Sequence, residues 1–370
     1  MRIVFIGNAD HTIYNYRYEL LERLLADGHS VSVISPNGQY VSEMKEMGCD
    51  FYEVDIDRHG TNPIKDLKVI GLYKKILKKI NPDFVFTYTI KPNIYGAMAC
   101  KKLKLRCIPN ITGLGTAVEN KGWKQKLTVF LYKRAFKNVQ TIFFQNSENM
   151  RFFSDRNLYN EKHKLLPGSG VNLERFNVTE YPSDEKINFV FVSRLMKEKG
   201  IDHYLDAAEF ITGKYPNTKF HICGFCEDEY KDRLEAITKN ENVVYHGMVK
   251  DITTVLCDMH CTVHPTFYPE GLSNVLLESL ACGRPIITTD RAGCREVVEN
   301  EVNGYVVKQK DSSDLIEKLE KFISLTNEER KNMGLAGRAK VEREFDRQFV
   351  INAYLKEMEI PEKESAEVLL

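Results

Sequence analysis

Glu270 and Glu278 are the residues of this sequence best placed to do chemistry, and the run that holds them says why. From Pro269 to Gly283 it reads Pro-Glu-Gly-Leu-Ser-Asn-Val-Leu-Leu-Glu-Ser-Leu-Ala-Cys-Gly. Ser273 and Asn274 are helix-starting residues and Gly283-Arg284-Pro285 is a stop, so a helix is predicted from Asn274 to Cys282. That helix is nearly all apolar and should be buried on most sides. Glu278 lies inside it, flanked by Leu276, Leu277, Leu280 and Ala281. A buried carboxylate without a partner is very costly. Two kinds of partner satisfy it: a diol such as a ribose, with two hydroxyl donors, or the protein's own backbone. The helix start offers free N–H groups and a positive dipole end, which suit a phosphate. Glu270, on the loop before, either reaches a second polyhydroxylated group or is a surface acid.

A second constellation is cationic. Arg194 and Lys199 lie in Phe191-Val192-Ser193-Arg194-Leu195-Met196-Lys197-Glu198-Lys199-Gly200, the loop after a predicted strand. Two cations there can neutralise a diphosphate leaving group as its charge grows. Arginine suits a planar, multi-point phosphate contact; lysine acts as a point charge.

These residues need a scaffold that brings strand ends together, and the hydrophobic pattern supplies one. Strands are predicted at 2–7, 30–35, 51–54, 84–88, 107–110 and 141–145, with helices at 16–27, 40–47, 62–80, 93–103 and 121–136 between them. The stretch 177–186, with Pro182 and several charges, reads as a hinge. The pattern then restarts. Strands are predicted at 187–193, 219–223, 243–246, 261–264, 285–289 and 305–307, and helices at 200–214, 227–240, 253–258, 312–324, 328–345 and 347–358. Alternating strands and helices mean parallel, doubly wound α/β sheets, here two of them. The predicted domains are 1–180, with a returning helix at 346–360, and 181–345. Such sheets bind ligands at the carboxyl ends of their strands, and two facing sheets would form a cleft.

Composition sets the bounds. The 370 residues are 43% hydrophobic and 28% charged, the balance of an ordinary globular chain long enough for two domains. No apolar run is long enough to span a membrane, and the N-terminus reads as a buried strand rather than a signal peptide. Nine cysteines, an odd number spread along the chain, argue for free thiols in a reducing compartment, hence the cytoplasm. The 52 basic and 52 acidic residues cancel overall, but residues 65–137 hold 17 Lys+Arg against 3 Asp+Glu. A patch so one-signed suits an anionic membrane surface, and Trp123, Phe130, Leu131 and Tyr132 interleaved with its last lysines suit an interfacial helix. A solvated basic face is the simpler alternative.

The paired acids in Pro-Glu-Gly-Leu-Ser-Asn-Val-Leu-Leu-Glu, with seven residues between them, resemble the motif of the retaining glycosyltransferases of family 4, with the GT-B fold. The resemblance runs over nearly the whole chain and is strongest at Phe189–Gly200 and His264–Val298. It implies that Glu270 contacts the donor sugar and Glu278 the nucleotide's ribose. Gly271, Leu272, Ser273 and Asn274 would present backbone N–H groups to the phosphates, and Arg194 and Lys199 would grip the diphosphate. Val249, in the Gly247–Ile252 loop, resembles a nucleobase contact, and Gly224 ends a strand on the same side. Gly168–Phe176 resembles the family's turn ahead of the linker. Thr87–Gly96 and Asn110–Ala117 resemble the capsule, O-antigen and lipid-linked glycan branch of the family. Many members carry a histidine where this chain has Thr112, before Gly113, so an obvious first-domain base is absent. Asn8, after the first strand, is a further candidate donor or acceptor contact.

Other signals carry less. Asp55-Ile56-Asp57 has an acid-x-acid pattern, but lies far from the phosphate loop, and Arg194 and Lys199 can do a metal's work. Cys223-Gly224-Phe225-Cys226, and Cys257 with Cys261, have metal-like spacing but read as buried thiols. His264, before Pro265, reads as a satisfied strand-end histidine. No Gly-x-Gly-x-x-Gly follows the first strand, which argues against a dinucleotide oxidoreductase.

The expectation is therefore a retaining glycosyltransferase that needs neither metal nor other cofactor. It would move an N-acetylhexosamine or hexose from a UDP-sugar to an undecaprenyl-diphosphate-linked glycan, while peripherally bound to the cytoplasmic face of the membrane. No nucleic-acid partner is expected. A soluble acceptor, a nucleotide-sugar epimerase or hydrolase on the same plan, and a non-catalytic binding protein are the competing readings.

Overall fold

The structure, a computed structural model, describes residues 1–57, 63–115, 118 and 122–359. The chain forms two compact units: 1–112 with 120–169 and 348–370, and 113–119 with 170–347. The division falls at Ser169/Gly170 rather than at 180/181, and the short 113–119 segment goes with the second unit.

In the first unit, strands β1 (Arg2–Ile6), β2 (Ser30–Ser35), β3 (Asp50–Glu53), β4 (Phe84–Tyr88), β5 (Arg106–Ile111), β6 (Ile142–Phe144) and β7 (His163–Leu165) pair in the order β3-β2-β1-β4-β5-β6-β7, all parallel. Parallel strands are covered on both faces, so they read as unbroken apolar runs, as in Phe84–Tyr88, where all five residues are buried. The last helix, Arg347–Met358, buries Val350, Ile351, Tyr354 and Met358 in this unit's core with Phe5, Phe86 and Phe143.

In the second unit, β8 (Ile187–Val192), β9 (Thr218–Cys223), β10 (Val243–Gly247), β11 (Cys261–His264), β12 (Ile286–Thr289) and β13 (Gly304–Val307) pair in the order β10-β9-β8-β11-β12-β13, again all parallel. Strand order reverses at β8, between β9 and β11. The loops leaving β8 and β11 therefore diverge around a switch point, the usual ligand position in such sheets.

Several expectations need correction. The first helix starts at Asp10, not Tyr16, with Asp10 in its first turn and no side-chain cap at Ala9; the aromatic and β-branched residues of its early turns weaken the helical signal there. The 90–103 helix likewise begins ahead of Asn93, with Pro92 tolerated in its first turn. The short helix Ser147–Ser154 and edge strand β7 were not anticipated. The 177–186 stretch is not a free hinge but is pinned inside the second unit. The Tyr181 hydroxyl donates to the His260 carbonyl (2.8 Å), Asp184 pairs with Arg330 (2.8 Å), and Arg284 donates to Thr179 and Glu180. The expected 121–136 helix is described from Trp123 to Ala135, and position 121 lies outside the described residues.

Candidate active site

The loop leaving β8 and the loop leaving β11 are knitted together by backbone. The Phe267 N–H donates to the Glu198 carbonyl at 2.9 Å, and the Thr266 hydroxyl donates to the same carbonyl at 3.2 Å. Gly200 makes this approach possible: it has φ +79°, and a Cβ there would lie 2.1 Å from the Pro265 carbonyl oxygen. The consequence is that Lys199 and Glu270, distant in sequence, form a close ion pair with side chains 15% and 12% exposed. His264 joins them, its Nε2 being 3.4 Å from Glu270 Oε1. Burial alone would push the Glu270 carboxyl up, but Lys199 and His264 outweigh it and hold the group well below the usual carboxylate range. Glu270 is thus an ionised acid between two nitrogen groups.

Glu278 is the opposite case. It lies in the helix Asn274–Ala281, one residue shorter than expected, and is half-buried. Burial raises its carboxyl to about 7, with Arg347 and Arg175 pulling the other way. No described residue hydrogen-bonds or ion-pairs with it. The backbone-satisfied alternative is therefore not what this acid shows, and it remains able to accept hydrogen bonds from a ligand.

The entry to the 274–281 helix lies between these two acids in the chain. Ser273 occupies the N-cap position of the 274–281 helix, but its side chain makes no capping bond, so neither it nor Asn274 caps the first turn. Its own N–H donates to the Gly293 carbonyl (2.8 Å), and Asn274 Oδ1 is buried with no hydrogen-bond partner. Leu272 is buried, and half-buried Val249 packs on the same cluster. Gly113 lies against this loop, a Cβ there falling 3.2 Å from the Pro269 carbonyl and 3.4 Å from Gly271 N. Gly224 sits under the β8 loop, where a Cβ would fall 1.8 Å from the Ser193 carbonyl oxygen. Arg194 lies in the same loop, more than half exposed, 3.7 Å from Glu227. It is not drawn into the Lys199–Glu270 pair. Asn8 and Thr112 belong to the first unit, where Asn8 accepts from the Thr12 hydroxyl at 3.4 Å.

Three features escaped the sequence reading. His264 is a strand-end residue, as expected, but the partner of its Nε2 is Glu270, which was not anticipated; its spacing six residues before Glu270 was the available signal. Arg284 is 1% exposed, and its guanidinium donates to the carbonyls of Leu256, Cys257, Glu180, Thr179 and Cys282, tying the end of the 274–281 helix to its surroundings. In the first unit Thr89 has φ +68°, an uncommon conformation for a β-branched residue, and its Oγ1 is buried without a hydrogen-bond partner; no residue pattern announces that strain. Among the described residues no group of three or more His, Cys, Asp or Glu is arranged as a metal site, and all nine cysteines are free.

Comparison with known proteins fits this geometry. Residues 2–146 match the family model described as glycosyl transferase 4-like, and residues 174–340 the model described as glycosyl transferases group 1. The chain is a family 4-type glycosyltransferase. It is 27% identical to the N,N'-diacetylbacillosaminyl-diphospho-undecaprenol alpha-1,3-N-acetylgalactosaminyltransferase of Campylobacter jejuni, over 96% of this chain and 98% of that protein. It is 28% identical to the capsular polysaccharide biosynthesis glycosyltransferase CapM of Staphylococcus aureus, over 92% and 94%. A third relative, 28% identical over 69% of this chain and 70% of its own length, is the UDP-Gal:alpha-D-GlcNAc-diphosphoundecaprenol alpha-1,3-galactosyltransferase of Escherichia coli. Among solved structures, Anabaena HepE in complex with UDP-glucose superposes with a TM-score of 0.79 at 17% identity, covering 96% of this glycosyltransferase and 98% of HepE. The sucrose-phosphate synthase of Thermosynechococcus elongatus gives 0.80 at 16% identity, over 96% and 98%. The fold is of the GT-B class, and the enzyme is a hexosyltransferase.

Proposed function

We propose that this enzyme transfers an N-acetylhexosamine or hexose from a UDP-sugar to an undecaprenyl-diphosphate-linked glycan, with retention at the anomeric carbon and without a metal. The observation that carries the donor side is Glu278: a half-buried carboxyl raised to about 7, with no protein hydrogen-bond partner, on an uncapped helix. A nucleotide's ribose supplies two hydroxyl donors to that acid, while Leu272 and Asn274 at the helix entry offer N–H groups to its phosphates; the Ser273 N–H is already held by the Gly293 carbonyl. Val249 and Gly224 flank the base, and Glu270 meets the donor sugar. Thr112 and Gly113 are further candidate donor contacts, and Asn8 is a candidate contact to the donor phosphate or the acceptor.

In the reaction the bond between the anomeric carbon and the UDP oxygen breaks, and a bond from that carbon to the acceptor oxygen forms. The acceptor's proton passes to the departing diphosphate, whose growing charge Arg194 and Lys199 stabilise. The named acceptors of the Campylobacter and Escherichia relatives support a lipid-diphosphate acceptor. The basic, partly apolar face of the first unit supports contact with an anionic membrane.

The test is a panel of UDP-sugars and GDP-glucose, scored first by thermal stabilisation and then by UDP release with undecaprenyl-diphosphate-linked sugars. Stabilisation by UDP-sugars, lost in Glu278→Ala, and release that requires the lipid-linked acceptor are expected. Equal stabilisation by GDP-glucose, or release at the same rate with free sugars, would overturn the assignment.

A further inference from the structure

We infer that His264 is a positioning residue that keeps Glu270 aligned with the donor sugar when Lys199 turns to the diphosphate. The inference rests on the role of Glu270 proposed above and adds a residue to it. His264 closes β11, paired in register with Thr288 of β12, and the Thr288 hydroxyl donates to its carbonyl at 2.8 Å. Its side chain is 1% exposed, and its ring centroid lies 6.4 Å from that of Phe191. The backbone and the ring are therefore both fixed. Nε2 lies 3.4 Å from Glu270 Oε1, and Nδ1 is buried without a hydrogen-bond partner. An imidazole so placed is best satisfied with its proton on Nε2, donating to Glu270, and a bare lone pair at Nδ1.

Lys199 and His264 thus converge on one oxygen of Glu270. Lys199 has a flexible four-carbon stem and a point charge, and in the proposed reaction it has a second customer in the diphosphate. When its ammonium shifts toward phosphate, Glu270 loses its main anchor just as the sugar must be held. The His264 ring cannot follow. It retains its contact with Oε1 and prevents the carboxylate from swinging after the lysine. A misplacement of about 1 Å in such a group costs roughly 100-fold in rate.

The experiment compares the parent with His264→Leu, His264→Asn, His264→Gln and Glu270→Ala. The probes are UDP alone, by calorimetry, and whichever of UDP-galactose, UDP-glucose and their N-acetyl forms the parent turns over, by UDP release. Leucine removes the donor. Asparagine keeps an amide too short to reach Glu270, and glutamine carries an N–H near the position of Nε2. His264→Leu and His264→Asn should bind UDP within about twofold of the parent while kcat falls about 10- to 100-fold. His264→Gln should recover most of the loss, which a purely packing role would not allow. If His264→Leu fails to fold, His264→Asn reads the same quantity. Turnover of a folded His264→Leu or His264→Asn within about threefold of the parent would overturn the inference. Turnover of Glu270→Ala at the parent rate would instead sink the role given to Glu270, so the two failures are distinguishable.

Discussion

At the scale of single residues, the two acids of the motif have opposite electrostatics. Glu270 has an ammonium and an imidazole beside it; Glu278 has neither a hydrogen bond nor an ion pair among the described residues. For Glu278 the folded state lifts the carboxyl from its ordinary 4.5 to about 7, because burial disfavours the charge. Between those values the folded chain holds a proton that the unfolded chain has released. The associated stability is fully present below about 4.5 and is lost as pH rises through 7. Ribose hydroxyls donate to the ionised acid, so UDP binding favours the form that dominates above 7. Parent affinity for UDP should therefore climb between pH 6 and 8 relative to Glu278→Gln, a comparison that cancels titration of UDP itself. In the absence of ligand, Glu278→Gln should melt higher than the parent at pH 8 and no higher at pH 4.5. Calorimetric affinities and melting curves check both halves, and parallel pH profiles for parent and variant would refute them. The sequence disclosed that Glu278 needed a partner, because a carboxylate among leucines is legible from composition. It did not disclose His264 as a neighbour of Glu270, because that contact depends on how one loop folds back on its own strand.

At the scale of elements, the site is two strand-end loops held in register, and a glycine sets their distance. Gly200 combines a left-handed backbone with a Cβ position 2.1 Å from the Pro265 carbonyl oxygen. In Gly200→Ala the backbone alone costs about 1–2 kcal/mol, and relieving the clash must separate the loops that bring Lys199 to Glu270. The expected outcome is a lower melting temperature together with a kcat loss of about 10-fold or more. Gly213→Ala is the control, since a Cβ there meets nothing within 4 Å. Kinetics and melting of the two variants decide it, and an active, normally melting Gly200→Ala would mean that the loops are not fixed by this contact. Elements of this kind were largely legible: the apolar runs that became β1, β4 and β8 are strong signals, as are the stops at Gly28 and Gly283. What failed was local. The 147–154 helix is only two turns long and is announced by the single cap Asn146, while β7 is a three-residue edge strand with two exposed positions. Neither carries enough periodicity to be read without its neighbours.

At the scale of the whole molecule, charge and exposed apolar surface coincide in the first unit. The chain is neutral overall, yet residues 65–137 hold 17 basic and 3 acidic residues. On the 123–135 helix Trp123, Leu127 and Phe130 are spaced to share one face and are all exposed, Trp123 by 63% and Phe130 by 57%. Tyr132, grouped with them from sequence, instead points into the core with 1% exposure, so the sequence identified the helix but misassigned one of its faces. No helix among the described residues is long and apolar enough to cross a membrane; the proposed membrane contact is assigned to this charged and apolar face. Lysines near an anionic leaflet contribute about 1 kcal/mol each and are screened by salt, whereas inserted aromatic rings are not. Trp123→Ser combined with Phe130→Ser should therefore reduce co-sedimentation with phosphatidylglycerol vesicles and make the remainder fully salt-releasable. Charge reversal of Lys124, Lys126 and Lys133 should abolish binding at low salt. Turnover of a water-soluble, short-chain diphosphate acceptor should be unchanged in both variants, because neither alters the donor residues. Equal sedimentation of parent and both variants, or equal binding of the parent to neutral and anionic vesicles, would show that this face has no part in reaching the membrane.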